Sequence, residues 1–319
     1  MKTTYDFKNV YLKPTLSSIN SRDDVDLSVR LLENVKLNIP IIASPMKGII
    51  SPAIVSGLSN LGGIGIIHRF QKQEDMVKDI RNSLLGMYTD YPNFGVAIGL
   101  NDNRYKVALD CGASIICIDV ANGYLDRVHR FCYEVSNYIN FYNYDCLLMA
   151  GNVVSYDGCN ALISNGVKLI RVGIGTGALC KTREVTGVGI GQVDALMDCD
   201  HYGRKNGALL VADGGMKTSG DIVKALAAGA DLVMLGSPFA KTFESSNGGT
   251  IYGMASRKLQ EEYYYSVKSV EGIEQNMDKT VSLDDFISEL TYGIRSACTY
   301  LNARNIKQLR ENSVFVEIR

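Results

Sequence analysis

Short apolar runs recur along the chain from residue 39 onward, and each is followed by a polar stretch with apolar residues at helical spacing. Because the runs are continuous rather than alternating, they predict strands that are buried on both faces of a parallel sheet. The predicted strands cover residues 39–46, 63–68, 94–99, 114–120, 146–151, 168–172, 208–213 and 231–236. The predicted helices cover residues 52–60, 71–85, 102–110, 125–138, 156–164, 192–199 and 219–228.

Eight strand–helix units in roughly 200 residues favour a (β/α)8 TIM barrel of the α/β class. We therefore predict one barrel domain spanning residues 1–319. A doubly wound sheet stays open as the alternative, because strand order cannot be read from this pattern. In a barrel the active site lies at the carboxyl ends of the strands, and the glycine-rich and polar loops of this chain follow the predicted strands there.

The pattern changes after the eighth predicted strand. Residues 243–283 are polar and rich in tyrosine, and this length is unusual for a passive connection, so we predict an active-site flap. Residues 284–302 have the apolar spacing of an amphipathic helix, and residues 313–318 are expected to add a closing strand.

Composition limits the classes of function. A net charge of -1 gives no electrostatic reason to expect a nucleic-acid or membrane partner. Residues 1–10 lack the apolar run of a signal peptide, and no apolar segment approaches the roughly 20 residues that span a bilayer. The eight cysteines are scattered without metal-binding spacing, so we expect free thiols in a soluble, cytoplasmic protein.

Residues 170–183 carry the first candidate chemistry. The end of a predicted strand leads into three alternating glycines, which allow tight bends and inward-facing backbone groups: Gly173, Gly175 and Gly177. Cys180 follows, and the positive charges of Lys181 and Arg183 beside it favour a reactive sulfur. A strand–turn with a small buried cysteine is the alternative that this stretch alone leaves open.

Two further loops are candidates for binding phosphate. They follow the seventh and eighth strands and contain Asp213, Gly214 and Gly215, and then Gly236 and Ser237. In many barrels these two loops hold a phosphate through backbone amides, to which a serine hydroxyl can add a donor. Asp213 does not suit a phosphate, but its carboxylate suits the two hydroxyls of a ribose.

These motifs resemble those of the IMP dehydrogenase/GMP reductase family over nearly the full length of the chain. The active-site loop of that family has the pattern Gly-x-Gly-x-x-Cys-x-Thr-Arg, which here runs from Gly175 to Arg183. Other matching segments are Asp6 to Val10, Ser21 with Arg22, Asp213 to Gly215, Gly220 to Ile222, and Gly229 to Asp231. The resemblance itself implies a TIM barrel that binds a purine nucleotide.

Within the family the resemblance is closest to the GMP reductase branch. The segments that carry it are Asp119 to Tyr124, Met149 to Val153, Tyr252 to Met254, Ser269 to Gly272, and Ile294 to Tyr300. The dehydrogenase branch usually inserts a pair of CBS modules between early strands, and residues 67–94 leave no room for such an insertion. Its water-activating Arg-Tyr pair is also not found in this sequence.

The resemblance implies an NADPH-dependent conversion of GMP to IMP and ammonia. Cys180 would attack C2 of the purine and form a covalent intermediate, while Thr182 and Glu271 would provide the proton that the departing ammonia needs. For the substrate it implies a ribose site at Asp213 and a phosphate site at Gly214, Gly215, Gly236 and Ser237. The base would be surrounded by Gly253, Met254, Ala255, Lys268, Ser269 and Gly272.

The resemblance also implies sites for a dinucleotide and a monovalent cation. The dinucleotide positions are Ser21, Arg22, Arg69, Asp119, Val120, Ala121, Ser296, Ala297, Cys298 and Thr299. Arg22 and Arg69 would recognise the 2′-phosphate that distinguishes NADPH from NADH. A potassium ion would be held by the carbonyls of Gly175, Gly177 and Cys180 with Arg183 nearby. A homotetramer is expected.

The sequence departs from the family pattern inside the expected site. Ala178 stands where a serine is usual, and Ala255 and Lys268 replace a serine and an arginine in the flap. Lost donors of this kind change substrate discrimination by about 1–3 kcal/mol each. We hypothesise that Lys181 and Lys47 supply positive charge near the thiol or phosphate. An IMP dehydrogenase, or a nucleotide-binding member with weak or altered activity, remains as an alternative function.

Overall fold

Eight parallel strands close into a barrel in the computed structural model, which describes residues 3–33, 35–89, 92–246, 250–253, 256–263 and 270–318. Three short strands precede it, namely β1 (Val10–Leu12), β2 (Val29–Arg30) and β3 (Lys36–Leu37). The barrel strands are β4 (Ile41–Ala43), β5 (Ile64–Ile67), β6 (Phe94–Ile98), β7 (Ile115–Ile118), β8 (Leu147–Val153), β9 (Leu169–Val172), β10 (Leu209–Asp213) and β11 (Leu232–Leu235).

The barrel strands pair in sequence order, and β11 closes the circle against β4. In that closing pair Met234 is the partner of Ile42, and Ile42 in turn is the partner of Ile64 on β5. This order confirms the (β/α)8 prediction and excludes the doubly wound sheet, in which strands would not close.

Helices cover the outside of the barrel. The helices in the described residues are α1 (Pro52–Asn60), α2 (Gln73–Leu85), α3 (Arg104–Asp110), α4 (Asp126–Phe141), α5 (Tyr156–Ile163), α6 (Thr182–Thr186), α7 (Gln192–Lys205), α8 (Ser219–Ala227), α9 (Arg257–Tyr263), α10 (Leu283–Tyr300) and α11 (Ile306–Asn312). The prediction ended the helix after β9 at residue 199, which was too early, because α7 continues to Lys205 with two basic residues in its last turn.

Local sequence explains where several of these helices begin. Ser51 accepts a hydrogen bond from the amide of Ile54, and Pro52 occupies the first helical position of α1. Thr218 and Asp221 form a reciprocal capping box at the start of α8. These caps satisfy backbone amides that would otherwise lack partners, so each helix starts at a defined point after its strand.

Two apolar layers hold the fold together. The outer layer joins the strands to the surrounding helices and includes Phe94, Tyr105 and Phe286. The inner layer fills the barrel with side chains from every second strand position, such as Ile42, Ile66 and Val211. The hairpin of β2 and β3 contributes Leu31, Val35 and Leu37 to this inner layer and so covers the amino-terminal end of the barrel.

The segment after β11 contains short elements within the range predicted as a flap, followed by the closing elements. A short 3-10 helix (Ser237–Lys241) leads to β12 (Thr250–Tyr252), which pairs with β13 (Glu274–Asn276), and α9 lies between them in the sequence. Helix α10 packs against α8 and α1 and therefore takes the eighth helix position of the barrel. At the C-terminus β14 (Phe315–Glu317) pairs antiparallel with β1, as predicted for the closing strand.

None of the helices in the described residues is long and apolar enough to cross a membrane.

Candidate active site

The interior of the barrel becomes polar at its carboxyl end. Strand side chains alternate between the two faces, so a residue two positions after an inner-layer residue also points into the barrel. By this alternation Ile42 is followed by Ser44, Ile66 by His68, Cys117 by Asp119, Leu169 by Arg171 and Val211 by Asp213. The mouth of the barrel therefore carries a charged and polar ring where barrels place their active sites.

Arg171 is the centre of this ring. It is only 6% exposed, yet it bonds to carboxylates from two other strands. Its Nη1 donates to Asp119 Oδ1 at 2.8 Å, and its Nη2 and Nε donate to Asp213 Oδ2 at 2.8 and 3.0 Å. Arg69 Nε donates to the second oxygen of Asp119 at 3.1 Å. Buried charges of opposite sign are thus paired through well-oriented hydrogen bonds.

The charges of this ring reinforce one another. Burial by itself raises the pKa of Asp119, but Arg171 and Arg69 outweigh it and hold that pKa below its ordinary value. Burial likewise opposes the charge on Arg171, but Asp213 and Asp119 outweigh it, so the pKa of Arg171 is raised. Both groups therefore stay ionised at neutral pH.

Asn152 completes the environment of Asp213. Its amide nitrogen donates to Asp213 Oδ2 at 2.9 Å and to the carbonyl of Gly173 at 2.7 Å. Oδ2 therefore accepts three hydrogen bonds, which leaves Oδ1 as the oxygen that can accept from a ligand. Asn152 Oδ1 is buried and has no partner among the described residues, and the same is true of His68 Nδ1. Buried polar atoms without partners at the mouth are typical of a site where a polar ligand supplies the missing hydrogen bonds.

His68 is neutral in this setting. Burial lowers its pKa to about 4, and the nearby cations Lys47 and Arg104 add to the effect. His68 directly follows β5, which places it at the rim of the mouth.

The loop after β9 presents Cys180 at the mouth. Gly173 and Gly175 have φ values of 142° and 71°, which glycine adopts without strain. A side chain at Gly173 would lie 2.2 Å from the carbonyl oxygen of Asp213, so this glycine is needed for close packing of the loop on β10. Cys180 is half-buried, and the short helix α6 begins two residues later at Thr182.

Cys180, Thr182 and Glu271 form a directed chain of hydrogen bonds. The Cys180 thiol donates to Thr182 Oγ1 at 3.2 Å, and the Thr182 hydroxyl donates to Glu271 Oε2 at 2.7 Å. The three residues named by the resemblance are therefore brought together across a sequence separation of about 90 residues. Chemically, the chain offers a path for the proton of the thiol to reach a carboxylate.

Backbone hydrogen bonds attach the flap to the loop that carries Cys180. This loop, residues 173–191, is called the catalytic loop below. The amide of Lys181 donates to the carbonyl of Glu271 at 2.8 Å, and the amide of Ile273 donates to the carbonyl of Leu179 at 3.1 Å. Gly253 and Gly272 also touch, since a side-chain carbon added at Gly272 would lie 3.0 Å from the Gly253 Cα. Glu271 is therefore positioned by the main chain on both of its sides.

The candidate phosphate loops lie beside the loop that carries Cys180. Gly214 and Gly215 have φ values of 96° and 84°, and a side chain at Gly214 would lie 2.5 Å from Thr176 Oγ1 in the catalytic loop. A Cβ at Gly236 would lie 2.6 Å from the sulfur of Met46. Ser237 is the first residue of the 3-10 helix. The loops after β4, β9, β10 and β11 thus converge on one place.

The structure describes two residues of the predicted base site. Met254, Ala255, Lys268 and Ser269 lie outside the described residues, whereas Gly253 and Gly272 lie against the catalytic loop.

The predicted dinucleotide residues fall into two groups. Arg69, Asp119, Val120 and Ala121 lie at the mouth, where both carboxylate oxygens of Asp119 are already bonded to arginines. In the second group, Ser21, Arg22 and Thr299 line a separate cavity of about 330 Å³, to which Tyr292 also contributes. There the Arg22 guanidinium lies 4.7 Å from the centre of the Tyr292 ring.

The second group lies toward the opposite end of the barrel. Helix α10 begins near the carboxyl face, where Val281 pairs with Thr242, and an 18-residue helix extends about 27 Å. Ser296, Ala297 and Thr299 are in its last turns, so they lie far from Cys180 within one chain. The Cys298 thiol is fully buried in the core, so its side chain does not line the cavity.

Lys47 and Lys181, which we predicted to supply positive charge near the thiol or phosphate, each form an ion pair with a glutamate. Lys47 Nζ is 2.5 Å from Glu262 Oε1 and 2.9 Å from the Tyr263 hydroxyl, both on α9. Lys181 Nζ is 3.3 Å from Glu184 Oε2 on the exposed side of α6. Both ammonium groups therefore have carboxylate partners, and their effect on the thiol or the phosphate stays a prediction.

Sequence reasoning missed Arg171 and Asn152. An arginine inside the apolar run 168–172 was a usable signal, because a charge in a buried strand requires a paired carboxylate. Asn152 belonged to a matched motif, but its contact with Asp213 depends on the three-dimensional arrangement of two strands.

Comparisons with known proteins agree with this geometry. A family model described as the IMP dehydrogenase / GMP reductase domain matches residues 4–319. The inosine-5′-monophosphate dehydrogenase of Cryptosporidium parvum is 32% identical over 98% of this chain and 91% of its own length. The GMP reductase of Onchocerca volvulus is 32% identical over 98% of this chain and 90% of its own length. The GMP reductase of Shigella boydii serotype 18 is 31% identical, with 98% and 94% covered.

Proposed function

The chain belongs to the IMP dehydrogenase/GMP reductase family of oxidoreductases, and we propose that it converts GMP to IMP and ammonia with NADPH. The observation that supports this proposal most strongly is the directed chain from the Cys180 thiol through Thr182 to Glu271. Relatives named for either reaction are equally similar, so the proposal depends on the site rather than on identity.

In the first step the Cys180 sulfur attacks C2 of the purine. The thiol proton passes to Thr182, and the Thr182 hydroxyl proton passes to Glu271. Protonated Glu271 then returns a proton along the same path to the 2-amino group, whose bond to C2 breaks as ammonia leaves. The products are a purinyl thioether on Cys180 and one molecule of ammonia, so atoms and charge balance.

In the second step the purine is reduced and released. When bound, NADPH supplies the hydride that C2 receives. The C2–sulfur bond breaks and its electron pair returns to Cys180. Glu271 gave its proton to ammonia in the first step, so the proton that restores the thiol is taken up from solvent and passes through Glu271 and Thr182. The contribution of the chain itself is to hold the nucleotide and to keep water away from the adduct, which the backbone contacts between flap and catalytic loop favour.

The polar mouth would orient the nucleotide. We propose that Asp213 Oδ1 accepts from the ribose hydroxyls, because Arg171 and Asn152 hold the other oxygen. Gly214, Gly215, Gly236 and Ser237 would bind the phosphate through backbone amides and one hydroxyl. Met254, Ala255, Lys268 and Ser269 would border the base together with Gly253 and Gly272.

The cofactor proposal follows the two groups of predicted residues. Arg69 and Asp119 to Ala121 would lie near the nicotinamide end at the mouth. The cavity with Ser21, Arg22 and Thr299 would receive the adenosine end of a cofactor that is bound at a neighbouring copy, where Arg22 would pair with the 2′-phosphate. This division favours an oligomer, and we propose the homotetramer that the resemblance implies. We also propose a cytoplasmic location.

The dehydrogenase remains the second candidate because it uses the same cysteine adduct. It differs in hydrolysing that adduct, which requires an activated water. A binding protein without catalysis is less favoured, because nucleotide binding alone gives no reason for the Cys180–Thr182–Glu271 chain.

A paired assay separates these functions. The purified protein is incubated with GMP and NADPH, and in parallel with IMP and NAD, while absorbance of the reduced nicotinamide is followed. We expect oxidation of NADPH with one ammonia released per GMP, and little reaction with IMP and NAD. Turnover only with IMP and NAD would identify a dehydrogenase, and turnover with neither would favour a binding role or another purine nucleotide. dGMP in place of GMP tests the altered pocket.

A further inference from the structure

The guanidinium group of Arg183 lies inside the loop that carries Cys180. Its Nε is 3.4 Å from the carbonyl oxygen of Ile174, and its Nη2 donates to the carbonyl of Ile190. These carbonyls belong to the beginning and the end of the loop, which are 16 residues apart. One cationic side chain therefore joins both ends of the catalytic loop.

Two glycines make room for this side chain. A Cβ at Gly175 would lie 2.4 Å from Arg183 Cγ, and a Cβ at Gly189 would lie 2.7 Å from the same atom. The stem of Arg183 is thus enclosed by backbone on two sides. The close approach of both segments to one side chain indicates that the loop is built around it.

The N-terminal arm supplies the counter-charge. Arg183 Nη1 donates to Asp6 Oδ2 at 2.8 Å, and Asp6 Oδ1 accepts from the amide of Gln192 at 2.9 Å. The Asp6 carboxylate is partly buried, which alone would raise its pKa, but Arg183 and the Gln192 amide outweigh this and lower it. Further hydrogen bonds hold the arm in place. The Tyr5 amide donates to Asp194 Oδ2, and the Gly191 amide donates to Thr4 Oγ1.

The monovalent cation implied by the resemblance fits this arrangement poorly. Its expected ligands are the carbonyls of Gly175, Gly177 and Cys180, and the loop that carries them lies against the Arg183 stem, since a Cβ at Gly175 would lie 2.4 Å from Arg183 Cγ. The Gly177 carbonyl already accepts from the amide of Cys180 at 3.0 Å. A potassium ion at this loop would also be close to a fixed positive charge, which repels it.

We propose that Arg183 is a positioning residue that serves as the built-in cation of the catalytic loop, so that the loop keeps its shape without an added monovalent cation. The proposal rests on the proposed function only in assigning Cys180 as the nucleophile. Arg183 acts through the loop, because its guanidinium bonds to backbone and to Asp6 rather than to the thiol.

The test compares the wild type with Arg183→Gln, Arg183→Lys and the control Arg304→Gln. Arg304 is also half-exposed and lies 4.0 Å from an aspartate, but it is outside this loop. Turnover is measured in KCl, NaCl and choline chloride at equal ionic strength. Hydrogen–deuterium exchange of peptides covering residues 174–190 is measured in the same solutions, because it reports the loop without requiring turnover.

We expect the wild type to show the same turnover and the same exchange in all three salts. Arg183→Gln should lose turnover by about tenfold or more and exchange faster in residues 174–190. Millimolar guanidinium chloride should restore part of both properties in Arg183→Gln but not in Arg183→Lys, whose ammonium occupies the space without spanning both carbonyls. Arg304→Gln should match the wild type.

Two results would overturn the proposal. One is a wild type whose turnover rises severalfold in KCl over choline chloride while its loop exchange slows. The other is an Arg183→Gln variant with unchanged loop exchange. If no salt supports turnover of GMP in the wild type, the proposed function fails, and the exchange experiment still decides the role of Arg183.

Discussion

At the scale of single residues, the direction of the hydrogen bonds decides the chemistry of the site. The Cys180 thiol donates to Thr182 and the Thr182 hydroxyl donates to Glu271, so the carboxylate is the last acceptor in this chain of hydrogen bonds. The sequence led us to expect that Lys181 and Arg183 would activate the sulfur by charge. The structure pairs these two cations with Glu184 and Asp6, and the means of activation that we propose is proton transfer to Glu271.

Replacing Glu271 with glutamine tests this proton path. The amide keeps the size of the side chain and a hydrogen bond to Thr182, but it cannot take up the thiol proton. We expect kcat to fall by about 100-fold or more while the KM for GMP changes little. Glu274→Gln, on the exposed strand β13 of the same flap, is the matched control and should behave like the wild type. A variant with normal kcat would remove Glu271 from the mechanism.

Single residues also show what could be predicted and what could not. Cys180, Thr182 and Glu271 were identified from motifs, and the structure brings them within hydrogen-bond distance. The partners of Asp213 were not identified, because Arg171 and Asn152 meet it only where neighbouring strands β8, β9 and β10 pair. A motif gives the type of a residue, but its partners depend on strand register.

At the scale of elements, the segment predicted as a flap contacts the Cys180 loop through its main chain. Its segment 271–273 forms backbone hydrogen bonds with the catalytic loop on one side and with Gly253 on the other. The presence of a flap in residues 243–283 was predicted from length and composition. Its β12–β13 hairpin and helix α9 were not, since short elements carry too few residues for a clear periodicity.

A side chain at Gly272 should separate the flap from the loop. A Cβ there would lie 3.0 Å from both Gly253 Cα and Ser256 N, and backbone atoms cannot move away as a flexible side chain can. We expect Gly272→Val to lower kcat by about tenfold or more, because Glu271 moves away from Thr182, while the thermal midpoint changes little. Gly220→Ala, whose Cβ would have an ordinary 3.6 Å contact, is the control. Full activity of Gly272→Val would contradict the flap assignment.

Barrel strands were the most predictable elements of the chain. All eight predicted runs correspond to β4–β11, because strands buried on both faces have few polar positions to obscure them. The end of α7 was predicted too early since polar residues such as Asp198 and Asp200 interrupt the apolar spacing. A helix continues through such polar residues when they lie on its solvent-exposed face.

At the scale of the whole molecule, the barrel separates the two regions in which we propose ligand binding. The polar mouth contains Cys180 and the nucleotide loops, whereas the cavity at Arg22 and Tyr292 lies toward the other end of α10. Sequence motifs named residues in both regions as one cofactor site. Only the direction of α10 along the barrel shows that a single chain does not bring them together. In the proposed function, a second copy of the chain would supply the other half.

The covalent adduct at Cys180 is the central claim, and intact-protein mass spectrometry tests it most directly. The protein is mixed with GMP without NADPH, denatured in acid and weighed, with Cys180→Ala as control. We predict a new species heavier by the mass of GMP less that of ammonia, which maps to Cys180, disappears on adding NADPH and is absent from Cys180→Ala. Turnover of GMP without this species, or the same adduct on Cys180→Ala, would contradict the mechanism.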